Sequence, residues 1–361
     1  MFIQTYKKYL FSQFLRKIIS VSGVFFILVL ILNLLEEVNF LKDNNDTSFY
    51  TPLLLTFLNA PSLLIEMMPF IFLISTQFFF INLYESREIF TLRQFGLDNF
   101  SILKFLSLTS FALGIFIIIF IYNFSSVCKN QYLKIKNKYT SDNKYLAVIT
   151  KNGIWIKDNS KDGFVIINAD KIEEKFLINA SITKLNNNFE IQTNIIAQKV
   201  DVENYNWILF DVIITDSENN SNEYRKSTFK SNFNFERINN LFSDLTALTY
   251  LELLTLKKDY KIIGYSTEEI DIQSHRIYSL PFLLTVMTII SLIIMINLKF
   301  KKNIFLSLLV GIFFSVLVYY ISHFSNVLGA NGKLPVILSV WFPIIIIIII
   351  SLIGVVRLNE K

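Results

Sequence analysis

The sequence predicts a six-span α-helical membrane protein with one large, water-exposed, β-rich domain inserted between the third and fourth spans. Two observations carry that class. Of the 361 residues, 53% are hydrophobic and only 17% charged, whereas soluble globular chains carry about a quarter charged residues. The apolar residues also gather in blocks near both ends, leaving the stretch from about 125 to 276 rich in Asn, Lys, Asp and Glu.

A helix needs about 20 predominantly apolar residues to cross the hydrocarbon core, and spans are predicted at 18–35, 62–83, 102–122, 278–298, 304–321 and 336–356. Lys7, Lys8, Arg16 and Lys17 precede the first, as in a secretory signal. It lacks a small-residue cleavage site and more spans follow, so it reads as an uncleaved helix. The last contains an unbroken run from Ile344 to Ile350, and its length with flanks argues for a lipid-embedded helix rather than a buried strand. Lysines and arginines in short loops set orientation. The N-terminal arm is basic and the fourth-to-fifth connection carries Lys299, Lys301 and Lys302, whereas the first-to-second holds Glu36, Glu37, Asp43 and Asp46 against Lys42 alone. Both termini are therefore expected in the cytoplasm and the inserted domain outside.

The insert reads as strands at 145–149, 154–157, 164–168, 176–185, 189–200, 207–215 and 223–230, divided by Asn, Asp and Ser clusters. Asn152-Gly153, between the first two, tolerates the positive φ angles of a tight hairpin turn. Short strands at such spacing suit a sandwich, a jelly roll or an open barrel. From 243 to 258 the pattern turns helix-like, and Ser266 with Glu269 forms a capping-box pattern for a short helix leading into span four. The expected organisation is thus helices one to three over 1–123, the β domain over 124–276 and helices four to six over 277–361.

Several chemistries are absent from the pattern. A net charge of +5 raises nucleic acid as a partner, but the cations flank apolar blocks and show no aromatic-interleaved basic stripe, so none is expected. Cys128 is the only cysteine, which leaves no intramolecular disulfide and no Cys-based metal site. His275 and His323, the only histidines, sit in no HExxH or GxSxG setting. Gly332-Lys333 hints at a phosphate loop, but Leu334 replaces the needed Ser/Thr and Pro335 follows. No catalytic residue, metal or cofactor is expected on this chain. Glu66 falls inside a predicted span, where an acid costs at least ~2.5 kcal/mol at the membrane centre. It lies about one turn from the outer end, which favours snorkelling or facing a cavity over a proton relay.

Between spans two and three, residues 84–96 read Tyr-Glu-Ser-Arg-Glu-Ile-Phe-Thr-Leu-Arg-Gln-Phe-Gly. As a helix this segment sets Ile89, Leu92 and Arg93 on one side with Glu85 and Glu88, an amphipathic surface for docking another protein. The plain alternative is a solvated loop. The segment resembles the S-E-L-x-x-M-R-x-x-G signature of the LptF/LptG permeases, membrane subunits of the lipopolysaccharide export ABC transporter, with Glu88, Arg93 and Gly96 at the acidic, basic and glycine positions. Pro61 and Pro69 fall where that family has paired prolines in span two. Gly153-Ile154-Trp155-Ile156-Lys157-Asp158 is similar to its G-L-W-x-K-D strand, and Asn206-Trp207-Ile208-Leu209 to its W-x-L strand. His275, Pro281, Gly311, Gly329, Gly332, Pro335, Trp341 and Pro343 continue the resemblance, which covers nearly the whole chain. The G-x-W-x-K-D strand and Leu34-Leu35-Glu36-Glu37 look closer to LptG than to LptF.

The resemblance implies a periplasmic β-jelly roll, a paralogous LptF-like permease as partner, and a dimeric LptB-like ATPase that uses ATP and docks on Glu85, Glu88, Leu92, Arg93 and Gly96. It also implies an LptC/LptA-like periplasmic bridge and lipopolysaccharide entering sideways between spans one and five of opposite subunits. LptG proteins often carry lysines near the outer end of span one, where this chain has Glu36 and Glu37 before Lys42. Lys42 and Lys129 are the remaining headgroup candidates. Each CH₂ of the lipid exposed to water costs ~0.8 kcal/mol, so the route must stay apolar, and Trp155, Phe164 and Trp207 are candidates to line it, unless they simply pack a core. Two other classes compete: an ion-coupled secondary transporter, and a membrane-anchored binding or assembly protein. The first usually shows repeated halves and broken helices with polar groups near the midplane, whereas these spans are mostly plain; the second needs fewer spans than six.

Overall fold

The computed structural model describes residues 2–42, 50–137, 139, 154–160, 163–173, 175–186, 190–216, 221–235, 238, 244–263, 266–297 and 304–359. They divide into two compact units, Met1–Lys129 with Glu268–Lys361, and Asn130–Thr267.

In the first unit, α1 (Phe2–Leu41), α2 (Tyr50–Glu66), α3 (Met68–Glu85), α4 (Glu88–Gln94) and α5 (Asn99–Phe116) precede a π-helical turn (Ile117–Tyr122) that runs into α6 (Asn123–Asn137). Three more helices follow the second unit and are numbered below. Among the described residues six helices are long and apolar enough to cross a membrane: Tyr6–Leu41, Met68–Glu85, Phe100–Lys136, Glu268–Met295, Phe305–Ala330 and Val336–Val356. Each predicted span overlaps one of them, but the second is displaced. It was expected from residue 62, and the helix breaks at Met67 instead. Pro69 has no N–H, so it cannot continue the hydrogen-bond ladder and suits the first turn of a new helix; Met67 N–H is shared between the carbonyls of Leu63 (3.3 Å) and Leu64 (3.1 Å). The first helix is also longer than the predicted span: its 40 residues reach about 60 Å at ~1.5 Å each, about twice the hydrocarbon core.

Leu10 and Phe14 of α1, Phe72 and Phe79 of α3, Leu106 of α5 and Leu284 belong to one buried cluster. Apolar contact alone gives helices in lipid little reason to associate, so close packing and interhelical hydrogen bonds matter more. Such bonds are present. Gln77 Nε2, fully buried on α3, donates to the Ser307 carbonyl at 2.8 Å, and Ser291 Oγ donates to the Leu73 carbonyl at 2.8 Å. The hydroxyls of Ser110 and Thr288 share a third bond at 2.8 Å. Glycines allow the approach: a Cβ on Gly311 would fall 2.2 Å from Gln77 Nε2.

The second unit carries β1 (Ile154–Ser160), β2 (Gly163–Ala169), β3 (Lys171–Glu173), β4 (Phe176–Asn186), β5 (Ile191–Asp201), β6 (Asn206–Asp216) and β7 (Ser221–Lys230). They form one sheet in the order β1-β2-β4-β5-β6-β7, with β3 also paired to β4, and every pairing is antiparallel. The strands expected from 154 to 230 all occur, mostly longer by one to three residues at an end; β3 was not expected. The strand at 145–149, the Asn152-Gly153 turn and Phe189 lie outside the described residues. The pairing is that of a meander and establishes a central antiparallel sheet, not the jelly-roll connectivity implied by the resemblance.

One face of the sheet is the core, with Ile156, Val165, Leu177, Val200, Trp207 and Leu209 buried. Along a strand such positions recur every second residue. On one line across the sheet they fall three apart instead: Leu177 and Ala180, Ala197 and Val200, Leu209 and Val212, all mutually in register. Asn179 and Asp211, both at φ 51, sit on that line, and local irregularities of this kind bend a sheet. The bending brings its ends together. Asp158, on β1 at one end of the described sheet and 3% exposed, accepts hydrogen bonds from Ser231 Oγ (2.8 Å), Asn232 N–H (3.0 Å) and Asn232 Nδ2 (2.7 Å), just past β7 at the other end. Trp207 Nε1 donates to the Phe233 carbonyl at 2.7 Å in the same closure.

A 3₁₀ turn (Leu245–Ala247) leads to α7 (Tyr250–Ile263), matching the helix-like stretch expected there. Its start has a capping box the sequence reading overlooked: Glu252 Oε2 accepts from the Thr249 N–H at 2.7 Å and Thr249 Oγ1 faces the Glu252 N–H at 3.5 Å. No separate short helix follows Ser266. Instead α8 (Glu268–Asn297) begins there and continues into the span, followed by α9 (Ile304–Ala330) and α10 (Val336–Asn359).

Candidate functional site

The segment between the second and third spans is a helix with defined ends. Arg87, at φ 59, turns the chain from α3 into α4, and Gly96, at φ +80, turns it out. Gly96 N–H donates to the Arg93 carbonyl at 2.9 Å and Leu97 N–H to that of Leu92 at 3.1 Å, the pair of bonds that closes a helix on a left-handed glycine. A Cβ on Gly96 would meet nothing within 4 Å, so backbone conformation rather than space calls for glycine. The same pair of bonds recurs at Gly332 (φ +67), where Gly332 and Lys333 N–H reach the carbonyls of Gly329 and Leu328. The Gly332-Lys333 pair therefore ends α9.

After Gly96, Asp98 caps α5 by accepting from the Ser101 N–H at 2.9 Å. Hydrogen bonds from Ser101, side chain first and then backbone, hold the Asp98 carboxyl below its ordinary pKa. An acid depressed on folding stabilises above its unfolded pKa of about 3.9, and that contribution is lost as pH falls through the depressed value. Asp98→Ala is expected to cost about 1 kcal/mol in the first turn of α5. Amide exchange at Ser101 reads it: faster in the variant at neutral pH, with the difference from wild type closing in strong acid.

Burial re-sorts the expected docking residues. Ile89 is 1% exposed and Leu92 half-buried, both against the core that holds Leu10 and Phe14, so they anchor α4 and do not form a free face. Glu85, Arg93 and Gly96 are exposed and Glu88 is half-buried. The outward surface also presents Phe90 (50% exposed) and Phe95 (74%), which the sequence reading passed over. The signal was there: if period 3.6 turns Ile89 and Leu92 inward, Phe90 must face out. Glu88 Oε2 accepts a hydrogen bond from Tyr9 of α1 at 2.7 Å.

The expected lipid-contacting residues have different settings within their own units. Lys42 is exposed at the end of α1. Lys129 Nζ donates to Asn59 Oδ1 on α2 at 2.7 Å. Glu66 is exposed at the end of α2, at the break before α3, so it lies outside the Met68–Glu85 span. Trp207 is fully buried in the sheet core, while Trp155 (52% exposed) and half-buried Phe164 occupy the other face. The three rings therefore divide between the two faces of the sheet. On that other face Lys199 Nζ lies 3.8 Å from the Phe176 ring centroid and Lys226 Nζ 5.6 Å from that of Phe210. Of the histidines, His275 Nδ1 accepts from Trp341 Nε1 at 3.4 Å and His323 stacks on Tyr319.

Compared with known protein families, residues 8–357 match the family described as lipopolysaccharide export system permease LptF/LptG. The chain belongs to the LptF/LptG family. No individually curated protein matches it. With six helices long and apolar enough to cross a membrane among its described residues, this LptF/LptG member is a multi-pass membrane protein of lipopolysaccharide export. The residues that carried the resemblance now have physical roles. Gly96 ends α4, Pro69 starts the second span and Asp158 closes the sheet. Gly311 admits Gln77 between α3 and α9.

Proposed function

We propose that the chain is the LptG-like permease subunit of an ATP-driven exporter that extracts lipopolysaccharide from the inner membrane. Its termini and α4 face the cytoplasm, and the β unit lies in the periplasm. A dimeric LptB-like ATPase binds and hydrolyses ATP and docks on the segment from Glu85 to Gly96; this chain holds no nucleotide and no other cofactor. An LptF-like permease completes the cavity, and an LptC/LptA-like bridge takes the lipid onward. Closure of the ATPases pushes α4, narrows the cavity and drives lipid out. Without a shielded path, one long acyl chain in water would cost on the order of 10 kcal/mol, which is why the step needs ATP.

The observation that carries this reading is α4 itself. It is fixed at both ends by left-handed residues, anchored by Ile89, and exposes Phe90, Arg93 and Phe95 between two spans. A rigid helix with aromatic and cationic groups outward suits a protein partner better than a solvated loop does. The test is purification of the tagged chain in gentle detergent with mass spectrometry of bound proteins and lipids. A related six-span partner, an ATP-binding subunit and lipopolysaccharide are expected together. Glu88→Ala is expected to lower ATPase recovery at least several-fold with the fold intact. Uptake driven by an ion gradient, with no ATPase recovered from wild type, would overturn the reading in favour of a secondary transporter.

A further inference from the structure

We propose that Tyr9 is a positioning residue for α4: its hydroxyl, donating to Glu88 Oε2 at 2.7 Å, ties the N-terminal arm of α1 to the coupling helix and delivers ATPase thrust to span one. The two residues are 79 apart in sequence. Gln13 Nε2 donates to the same hydroxyl at 3.1 Å, one turn along α1, which occupies the Tyr9 oxygen as acceptor and leaves its proton for Glu88. A bond from a neutral hydroxyl to a carboxylate is among the stronger hydrogen bonds.

Its place on α4 gives it leverage. Glu88 is the first residue of that helix, and only Ser86 and Arg87 separate it from α3. Arg87 carries the left-handed joint. Ile89 anchors the inward face in the cluster that also holds Leu10 and Phe14 of α1. Tyr9 fixes the end nearest the joint, so a push on the exposed far end, at Arg93 and Phe95, turns α1 together with α4. Without the hydroxyl, α4 keeps its Ile89 anchor but loses its tie to the N-terminal arm of α1, so less of the push reaches span one. Tyr9 is 39% exposed, so Tyr9→Phe strands no buried polar group on its own ring and preserves the packing.

The inference rests on the proposed ATPase coupling, and two readouts separate the two. The first needs no ATPase: in the full-length chain in detergent, Tyr9→Phe is expected to speed amide exchange in α4 at least threefold. The second uses the assembled complex in lipid vesicles containing lipopolysaccharide. There the variant is expected to retain the ATPase but release at least threefold less lipid per ATP hydrolysed. Absence of any ATPase from wild-type complexes sinks the proposed function while the exchange result still decides the clamp. Unchanged exchange overturns the clamp. Faster exchange with an unchanged lipid-to-ATP ratio makes the bond merely structural and overturns the transmission role.

Discussion

A chain carrying Asp158→Ala is expected to lose most of the ordered structure of its β unit. The carboxylate is 3% exposed and accepts from Ser231 Oγ and from both the backbone and side-chain nitrogens of Asn232. Hydrogen bonds to a charged group contribute roughly 1.5–3 kcal/mol each; of the donors, Ser231 is buried while Asn232 is exposed and can turn to water. Removing the carboxylate should therefore destabilise by at least about 3 kcal/mol, a large part of a typical domain's 5–15 kcal/mol. The bonds also join β1 to the chain just past β7, so their loss lets the two separate and opens the core around Trp207 to water. Asp158→Asn keeps one acceptor and is expected to fall between the two. Denaturant titration followed by tryptophan fluorescence, with limited proteolysis across 154–233, measures this. A midpoint unmoved in Asp158→Ala would mean the closure contributes nothing to the fold.

Gly114→Ala is expected to force α5 and α8 apart in the helical unit. An added Cβ would lie 2.6 Å from the Pro281 Cα, a backbone atom that no rotamer change can move. The helices must part, and with them go the Ser110–Thr288 hydroxyl pair, one turn along α5, and the edge-to-face contact of Phe111 with Phe282 (5.2 Å). Overpacking usually costs 1–3 kcal/mol; loss of the interhelical bond and of close packing, the forces that associate helices in lipid, takes this case to roughly the top of that range or beyond. Gly354→Ala is the matched control. Its Cβ would approach Ile293 Cδ1 at 2.7 Å, the movable end of a side chain, and a small effect is expected. Thermal unfolding in detergent and the amount of chain recovered from membranes should separate the two variants; equal behaviour would remove the backbone-contact argument.

Local chemistry made much of this legible. Apolar runs long enough for the bilayer marked all six spans, and alternation with Asn and Asp punctuation marked the strands from 154 to 230. Where a local rule met a competing one, the reading slipped. Pro61 and Pro69 were visible, yet whether they kink one helix or divide it depends on which carbonyl loses its donor, and the division came at Met67. A capping box that the sequence analysis did not name, Thr249 with Glu252, starts α7. β3 has three residues, too few for any period to show. In the segment from Glu85 to Gly96, Ile89 and Leu92 were expected on a docking surface and instead face the core: amphipathic spacing shows that two faces differ and does not say which is already occupied.

By itself the sequence determined the presence of six spans, the β-rich insert and the family, because each depends on composition or on residues a few positions apart. Only the tertiary structure decided what the functional groups touch. Tyr9 reaches Glu88 across 79 positions and Asp158 reaches Ser231 across 73; Gly114 meets Pro281 from another helix. Trp155 and Trp207 look alike in the chain, and register sends one to the solvent face and the other into the core. A hydrogen bond or a close backbone contact acts over about 3 Å, and which atoms come that near is settled by how whole elements pack.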